Sequence, residues 1–377
     1  MIYNNLIYLL VVILVFATSS IPDSPQFSAS SSFFLFTGKL FLYFLFIRSV
    51  FSLRRIRGAQ QYFSAERKSS ILAIALIGVD VYFLDFKYYI AKLPFTSQFP
   101  SLVDFSGIAL FFLYLAIIWF ESTRCYRAIF LKEYTRRSFL THNIKLNLPI
   151  ILPWLLLSFC ADLLQMQTSI PMLKDFLSST WGQPTVLLTF FLLLAIGFPA
   201  IITRLWNCVP LPPGETRKEI EDFCEKQNLR YNDIMLWPLF EGQVLTAGVM
   251  GLVKRFRYLL VTPALLATMT PVEVEAVIAH EIGHVKRYHL PLYLLLFLGF
   301  GMLAQFSAYP FLYLLLNSDM FYEAARLAGK EPGEVLSFAS TVPMILLMVL
   351  YFRYIFGFYM RNFERQADIH ALTVMKT

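Results

Sequence analysis

The stretch Thr270-Pro271-Val272-Glu273-Val274-Glu275-Ala276-Val277-Ile278-Ala279-His280-Glu281-Ile282-Gly283-His284 decides how this chain is read. Thr270 stands as N-cap, Pro271 as the first helical residue and Glu273 as the partner that completes a capping box, so a helix is predicted to start here. A helix turns about 100° and rises about 1.5 Å per residue, which places positions i and i+4 on one face, about 6 Å apart along the axis. His280 and His284 have that spacing. Two imidazoles so placed can grip one zinc ion, and the Glu281 carboxylate between them can act as general base toward water. The plainer alternative is an amphipathic helix with two separately satisfied histidines. A third ligand on the same side discriminates between the two.

Outward from this helix the chain is too apolar for a soluble domain, with 57% hydrophobic and only 15% charged residues, Phe alone occurring 38 times. Apolar runs at 2–19, 33–51, 71–90, 107–120 with its flanks, 148–164, 185–206, 290–316 and 335–359 approach or exceed the ~20 helical residues that cross a bilayer. The first lacks a basic n-region and a small-x-small cleavage site, and reads as a retained span rather than a signal peptide. The sizeable polar stretch is 207–289. It opens on Pro210-Leu211-Pro212-Pro213-Gly214, continues as a charged helix over 215–227 and holds β-like runs around 234–239 and 258–262. Cys125, Cys160, Cys208 and Cys224 form no C-x-x-C pair, which points away from a zinc ribbon and from a disulfide framework. The expected division is a transmembrane part of about six spans, 1–206, and a second part, 207–377, that contains the polar stretch and two further spans.

The net charge of +7 is distributed unevenly. Arg54, Arg55, Arg57, Arg67 and Lys68 follow the second span. Arg124, Arg127, Lys132, Arg136, Arg137 and Lys145 follow the fourth, and Arg204, Arg217 and Lys218 the sixth. The alternate loops hold only Lys92 and Lys174, and 317–334 has Arg326 and Lys330 among more acids. Basic loops mark the cytoplasmic side, so both termini and 207–289 are expected there. The last two spans form a hairpin that returns the chain to the side of His280. It arrives as Arg361-Asn362-Phe363-Glu364-Arg365-Gln366-Ala367-Asp368. Glu364 is the candidate third ligand. Asp368 shares its helical face and can accept a hydrogen bond from the far nitrogen of a ligand imidazole. Three protein ligands leave an open position, the arrangement of a catalytic zinc, one ion per chain.

His-Glu-Ile-Gly-His at 280–284, followed after a two-span hairpin by the Glu364 and Asp368 segment, resembles the integral-membrane zinc metallopeptidases that include the CAAX prenyl endopeptidases and the HtpX-like heat-shock peptidases. The resemblance covers about 211–377, and the six preceding spans look more like the CAAX prenyl branch. It implies a mainly α fold: a multi-span transmembrane helical bundle with a small α+β gluzincin-type metallopeptidase domain. It implies an endopeptidase acting on membrane-associated or lipid-modified polypeptides, with a polypeptide substrate and the lipid bilayer as partners and no nucleic acid. The membrane is left open between a bacterial inner membrane and the endoplasmic reticulum.

By the same resemblance His280, His284 and Glu364 bind zinc, Glu281 activates water and Asp368 supports the ligands. An edge strand ahead of the helix pairs with substrate backbone; Leu245, Thr246, Ala247, Gly248, Val249 and Met250 stand at that place, with Thr246-Ala247 where many members have Asn-Ala. Members usually continue to a downstream His and Arg, so the domain is expected to extend past Thr377, with His370 and Tyr288 as nominal substitutes here. The rival reading is a non-catalytic membrane protein, a substrate-binding module or a transporter using Lys39, Asp80, Asp85, Lys87 and Asp162, charges costly in lipid that either line a wet interior or pair with one another. His289, five positions past His284 and about 140° round a continuous helix, reads as a surface or interface residue.

Overall fold

The computed structural model describes residues 2–131, 133–166, 171–179, 181–239, 244–329 and 332–376. Lys132 and Lys330, counted in the charge bias, and the final Thr377 lie outside them. The helices are α1 (Ile2–Thr18), α2 (Ala29–Val50), α3 (Ala59–Tyr82), α4 (Phe86–Ala91), α5 (Ser101–Phe130), α6 (Arg136–Met166), α7 (Pro171–Ser178), α8 (Gly182–Leu205), α9 (Glu215–Lys226), α10 (Pro263–Thr268), α11 (Pro271–Lys286), α12 (His289–Leu316), α13 (Asp319–Ala328), α14 (Pro332–Leu350) and α15 (Gly357–Met375). A π-helical turn, Tyr351–Phe356, joins the last two. The strands are β1 (Val209–Pro210), β2 (Asp233–Leu236), β3 (Ala247–Met250) and β4 (Tyr258–Val261).

Among the described residues six helices are long and apolar enough to cross a membrane, where the sequence suggested eight. The helix α1 is apolar but shorter. The third expected span, 71–90, is divided: α3 starts twelve residues earlier, in the polar stretch with Glu66, Arg67 and Lys68, and ends at Tyr82. The break falls where Asp85 adopts a left-handed conformation, φ 52°, which a continuing helix cannot include. This is a multi-pass membrane protein.

The chain forms two compact units, one of Met1–Ile170 with Ala304–Val349, the other of Pro171–Leu303 with Leu350–Thr377. In the first, the charges in apolar helices find partners. Fully buried Asp80 pairs with Lys39 and accepts from the Tyr114 hydroxyl at 2.8 Å. The Lys87 ammonium donates to the carbonyls of Phe16 and Ser19 at 2.8 and 2.5 Å. Asp162 accepts from the Ser101 amide at 2.9 Å, and Asp85 from the Gln26 amide at 2.6 Å. Each charge is thus satisfied locally, as desolvation demands.

The second unit carries the polar stretch. Its four-stranded sheet runs β1-β2-β4-β3, with β2 and β4 parallel at the centre and β3 antiparallel to β4 on one edge. Ile234, Leu259 and Val261 are buried against Val274, Ile278 and Ile282 of α11, with Ile220 and Phe223 of α9 closing the core. Val274, Ile278 and Ile282 recur every fourth residue, so one stripe of α11 faces the sheet. His280 lies two positions, about 200°, from Ile278 and therefore points away from that core. The helix starts where expected: the Glu273 carboxylate accepts from the Thr270 amide at 2.8 Å and its hydroxyl at 2.9 Å, and Pro271 occupies the first turn.

Candidate active site

α15, β3 and α9 pack against α11. The other face of α11 packs along α15. There Gly283 is buried, and a Cβ at that position would lie 3.0 Å from the Ala367 Cα and 3.1 Å from the His370 Cβ. Glycine therefore lets the two helices approach closely. Phe363 and Ala367 form the buried stripe of α15, and Glu364 and Asp368, one position further round, project beside the histidines.

Ligand atoms of His280, His284 and Glu364 all lie within 4.8 Å of one another. The His280 and His284 Nε2 atoms are 3.2 Å apart, and Glu364 Oε2 is 3.3 Å from the first and 3.7 Å from the second. A tetrahedral ion with bonds of about 2.0–2.1 Å separates its ligand atoms by about 3.3 Å, so the spacing fits zinc. The donor chemistry fits as well. His280 Nδ1 stands 2.9 Å from Asp368 Oδ1, which accepts a hydrogen bond from Nδ1–H and leaves the Nε2 lone pair facing the cluster.

Glu281 is held differently. Its Oε2 accepts from the Val249 amide of β3 at 3.2 Å, so the carboxylate lies between the histidines and the edge strand. Burial pushes its carboxyl up to about 7, opposed by His280 and the Val249 bond. Burial also lowers the His284 pKa, with Glu364 opposing. Val249, His280, Glu281, His284, Tyr288 and Glu364 border an open cleft of about 580 Å³.

The strand is shorter than the sequence suggested. Ala247, Gly248, Val249 and Met250 pair with β4, whereas Leu245 and Thr246 precede the ladder. Thr262 meets Thr246 with backbone and side chain together: its amide and hydroxyl donate to the Thr246 carbonyl at 3.1 and 3.0 Å, and the hydroxyl accepts from the Thr246 amide at 3.2 Å. Among the described residues β3 pairs on one side only, and the outward Val249 amide is the one directed at Glu281. Of the two nominal substitutes, Tyr288 borders the cleft; His370 packs at Gly283 instead and is not among the cleft residues.

His289 is an interface residue, not a surface one. It is 1% exposed, its Nδ1 lies 2.9 Å from His284 Nδ1, its Nε2 lies 3.1 Å from Gln366 Oε1, and its ring stacks on Phe363 with centroids 4.4 Å apart. The expectation assumed one continuous helix. The chain instead turns after Lys286, with Tyr288 at φ 56°, and α12 begins at His289. Nothing local in Arg287-Tyr288 announces a left-handed residue.

Residues 213–377 match the model of Peptidase family M48. The crystal structure of S. mikatae Ste24p aligns over 93% of this chain and 89% of that one, at 18% sequence identity and a TM-score of 0.43, a likeness that bears no weight by itself. A comparison with curated proteins finds no match. The matched stretch holds every residue of the cluster and the edge strand beside it, and over that stretch, somewhat less than half of the chain, the sequence is similar to peptidase family M48, whose members are zinc metallopeptidases.

Proposed function

We propose that residues 207–377, two further spans included, form a peptidase domain whose catalytic part faces the cytoplasm and that cleaves peptide bonds in membrane-associated or lipid-modified polypeptides. The observation that carries the reading is the juxtaposition of three elements: the His280, His284 and Glu364 ligand atoms, the Glu281 carboxylate and the one-sided strand β3. One zinc ion per chain, held by His280, His284 and Glu364, supplies Lewis acidity toward water and the scissile carbonyl.

The remaining work belongs to side chains and backbone. An extended substrate adds to the free edge of β3 through main-chain hydrogen bonds, with alternate side chains turned toward and away from the protein. Glu281 takes the proton of the attacking water and delivers it to the leaving amine. A carboxyl raised toward neutrality suits that exchange. Asp368 fixes the His280 ring. The charges in the apolar helices are met locally, Asp80 by Lys39 and Tyr114 and Lys87 by backbone carbonyls, which favours the peptidase over the transporter reading.

Glu281→Gln tests the reading. The variant keeps its size and its contact with β3 but cannot act as a carboxylate base. Zinc content is expected to equal that of the parent chain, and hydrolysis of a membrane-associated peptide substrate to fall by roughly 10²–10⁴-fold. A variant that cleaves at the parent rate, or loses zinc without unfolding, removes Glu281 from the assigned role.

A further inference from the structure

We propose that His289 is a positioning residue of the metal site, holding the His284 ring in the one tautomer whose Nε2 lone pair faces the ion; this rests on the zinc reading above.

The two rings meet Nδ1 to Nδ1 at 2.9 Å. A hydrogen bond between two imidazole nitrogens requires one to carry the proton and the other to present a lone pair. Gln366 decides which. Its Oε1 lies 3.1 Å from His289 Nε2 and can only accept, so the His289 proton sits on Nε2 and Nδ1 is left as acceptor. His284 must then donate from Nδ1, and its Nε2 is left unprotonated. That Nε2 is the atom 3.2 Å from His280 Nε2 and 3.7 Å from Glu364 Oε2. Turning the Gln366 amide over reverses every donor in the series and directs a proton into the ligand cluster, so only the first orientation is compatible with a bound cation.

The surroundings fix the relay in place. Tyr288, at φ 56°, reverses the chain and brings His289 back over His284. Phe363 stacks on the His289 ring with planes 12° apart, and the residue is buried. The two ligand histidines are thereby oriented by unlike means. His280 leans on the Asp368 carboxylate, whereas His284 leans on a neutral relay that adds no charge to the site. The helix α15 supplies Glu364, Gln366 and Asp368, so one helix presents the third ligand and orients the other two.

The test is the Zn²⁺ affinity of the full chain in detergent, measured by competition with a chelator, for the parent, His289→Phe and His289→Asn. Phe keeps an aromatic ring against Phe363 but offers no acceptor, and a 10–100-fold weaker affinity is expected. Asn places its Oδ1 near the position of Nδ1, can accept from His284, and is expected to recover most of that loss. Parent-like affinity in the Phe variant overturns the proposal, and so does an Asn variant as weak as the Phe one, since the loss would then be one of packing. Should the Phe variant fail to fold, Gln366→Met on the exposed side of the relay decides: weakened zinc binding supports the relay and unchanged binding overturns it. A parent chain that binds no zinc defeats the zinc reading itself, an outcome separate from all of these.

Discussion

Glu364 reaches the two histidines from a different helix, and Asp368 meets His280 across 88 positions of sequence. Removing each should have a different consequence. On the proposed zinc site, Glu364→Ala takes away a ligand atom and leaves two imidazoles; elemental analysis of the purified variant is expected to show zinc well below one per chain, with helix content unchanged. Asp368→Ala leaves all three ligands in place and removes only the acceptor for His280 Nδ1. Chelator competition should register an affinity loss of about 10–100-fold, with zinc still stoichiometric when the metal is in excess. Both carboxylates are largely exposed, so neither change should disturb the core.

At the scale of elements, two contacts set the geometry. The first is the close approach of α11 and α15 at Gly283, where an added Cβ would press on backbone rather than on a movable side chain end. Gly283→Val should force the helices apart. The expected cost is about 1–3 kcal/mol of stability, read as a lower thermal midpoint, together with weakened zinc binding as Glu364 withdraws. The second is the edge strand. The Val249 amide points out of the ladder toward Glu281, so proline at 249 removes an outward donor without breaking a bond to β4. Val249→Pro is expected to keep zinc and to lower kcat/KM on an extended peptide by about tenfold, the worth of one main-chain hydrogen bond. Equal kcat/KM in parent and variant would remove Val249 from substrate binding.

Across the whole molecule, the arginines and lysines after alternate spans argue for the orientation. Single cysteines placed in 52–69, in 121–147 and in 207–289 of a chain otherwise free of cysteine should react with an impermeant thiol reagent only after the cytoplasmic face is opened to it. One placed in 317–329 should react from the opposite side. Labelling of 317–329 from the cytoplasmic side alone would reverse that loop and undo the hairpin argument that first singled out Glu364.

The sequence alone determined the start of α11, the i, i+4 pairing of His280 with His284 and of Glu364 with Asp368, and the membrane character of the chain, because capping, helical periodicity and apolar run length are local properties. It also located β2 and β4 as β-like runs, whereas β3 was expected only from the family resemblance. What it could not supply depends on contacts remote in sequence or on single dihedral angles. The third expected span breaks at one left-handed residue, Asp85, and β3 starts late where the Thr246 amide bonds the Thr262 hydroxyl instead of a backbone carbonyl. Gly283 reads in sequence as a spacer, and only its distance to Ala367 reveals why no larger residue fits. For His289 the periodicity argument left surface and interface open, because it presumes an unbroken helix. The left-handed Tyr288 breaks it, and packing against Phe363 and Gln366 then makes His289, read as a surface or interface residue, a buried partner of His284.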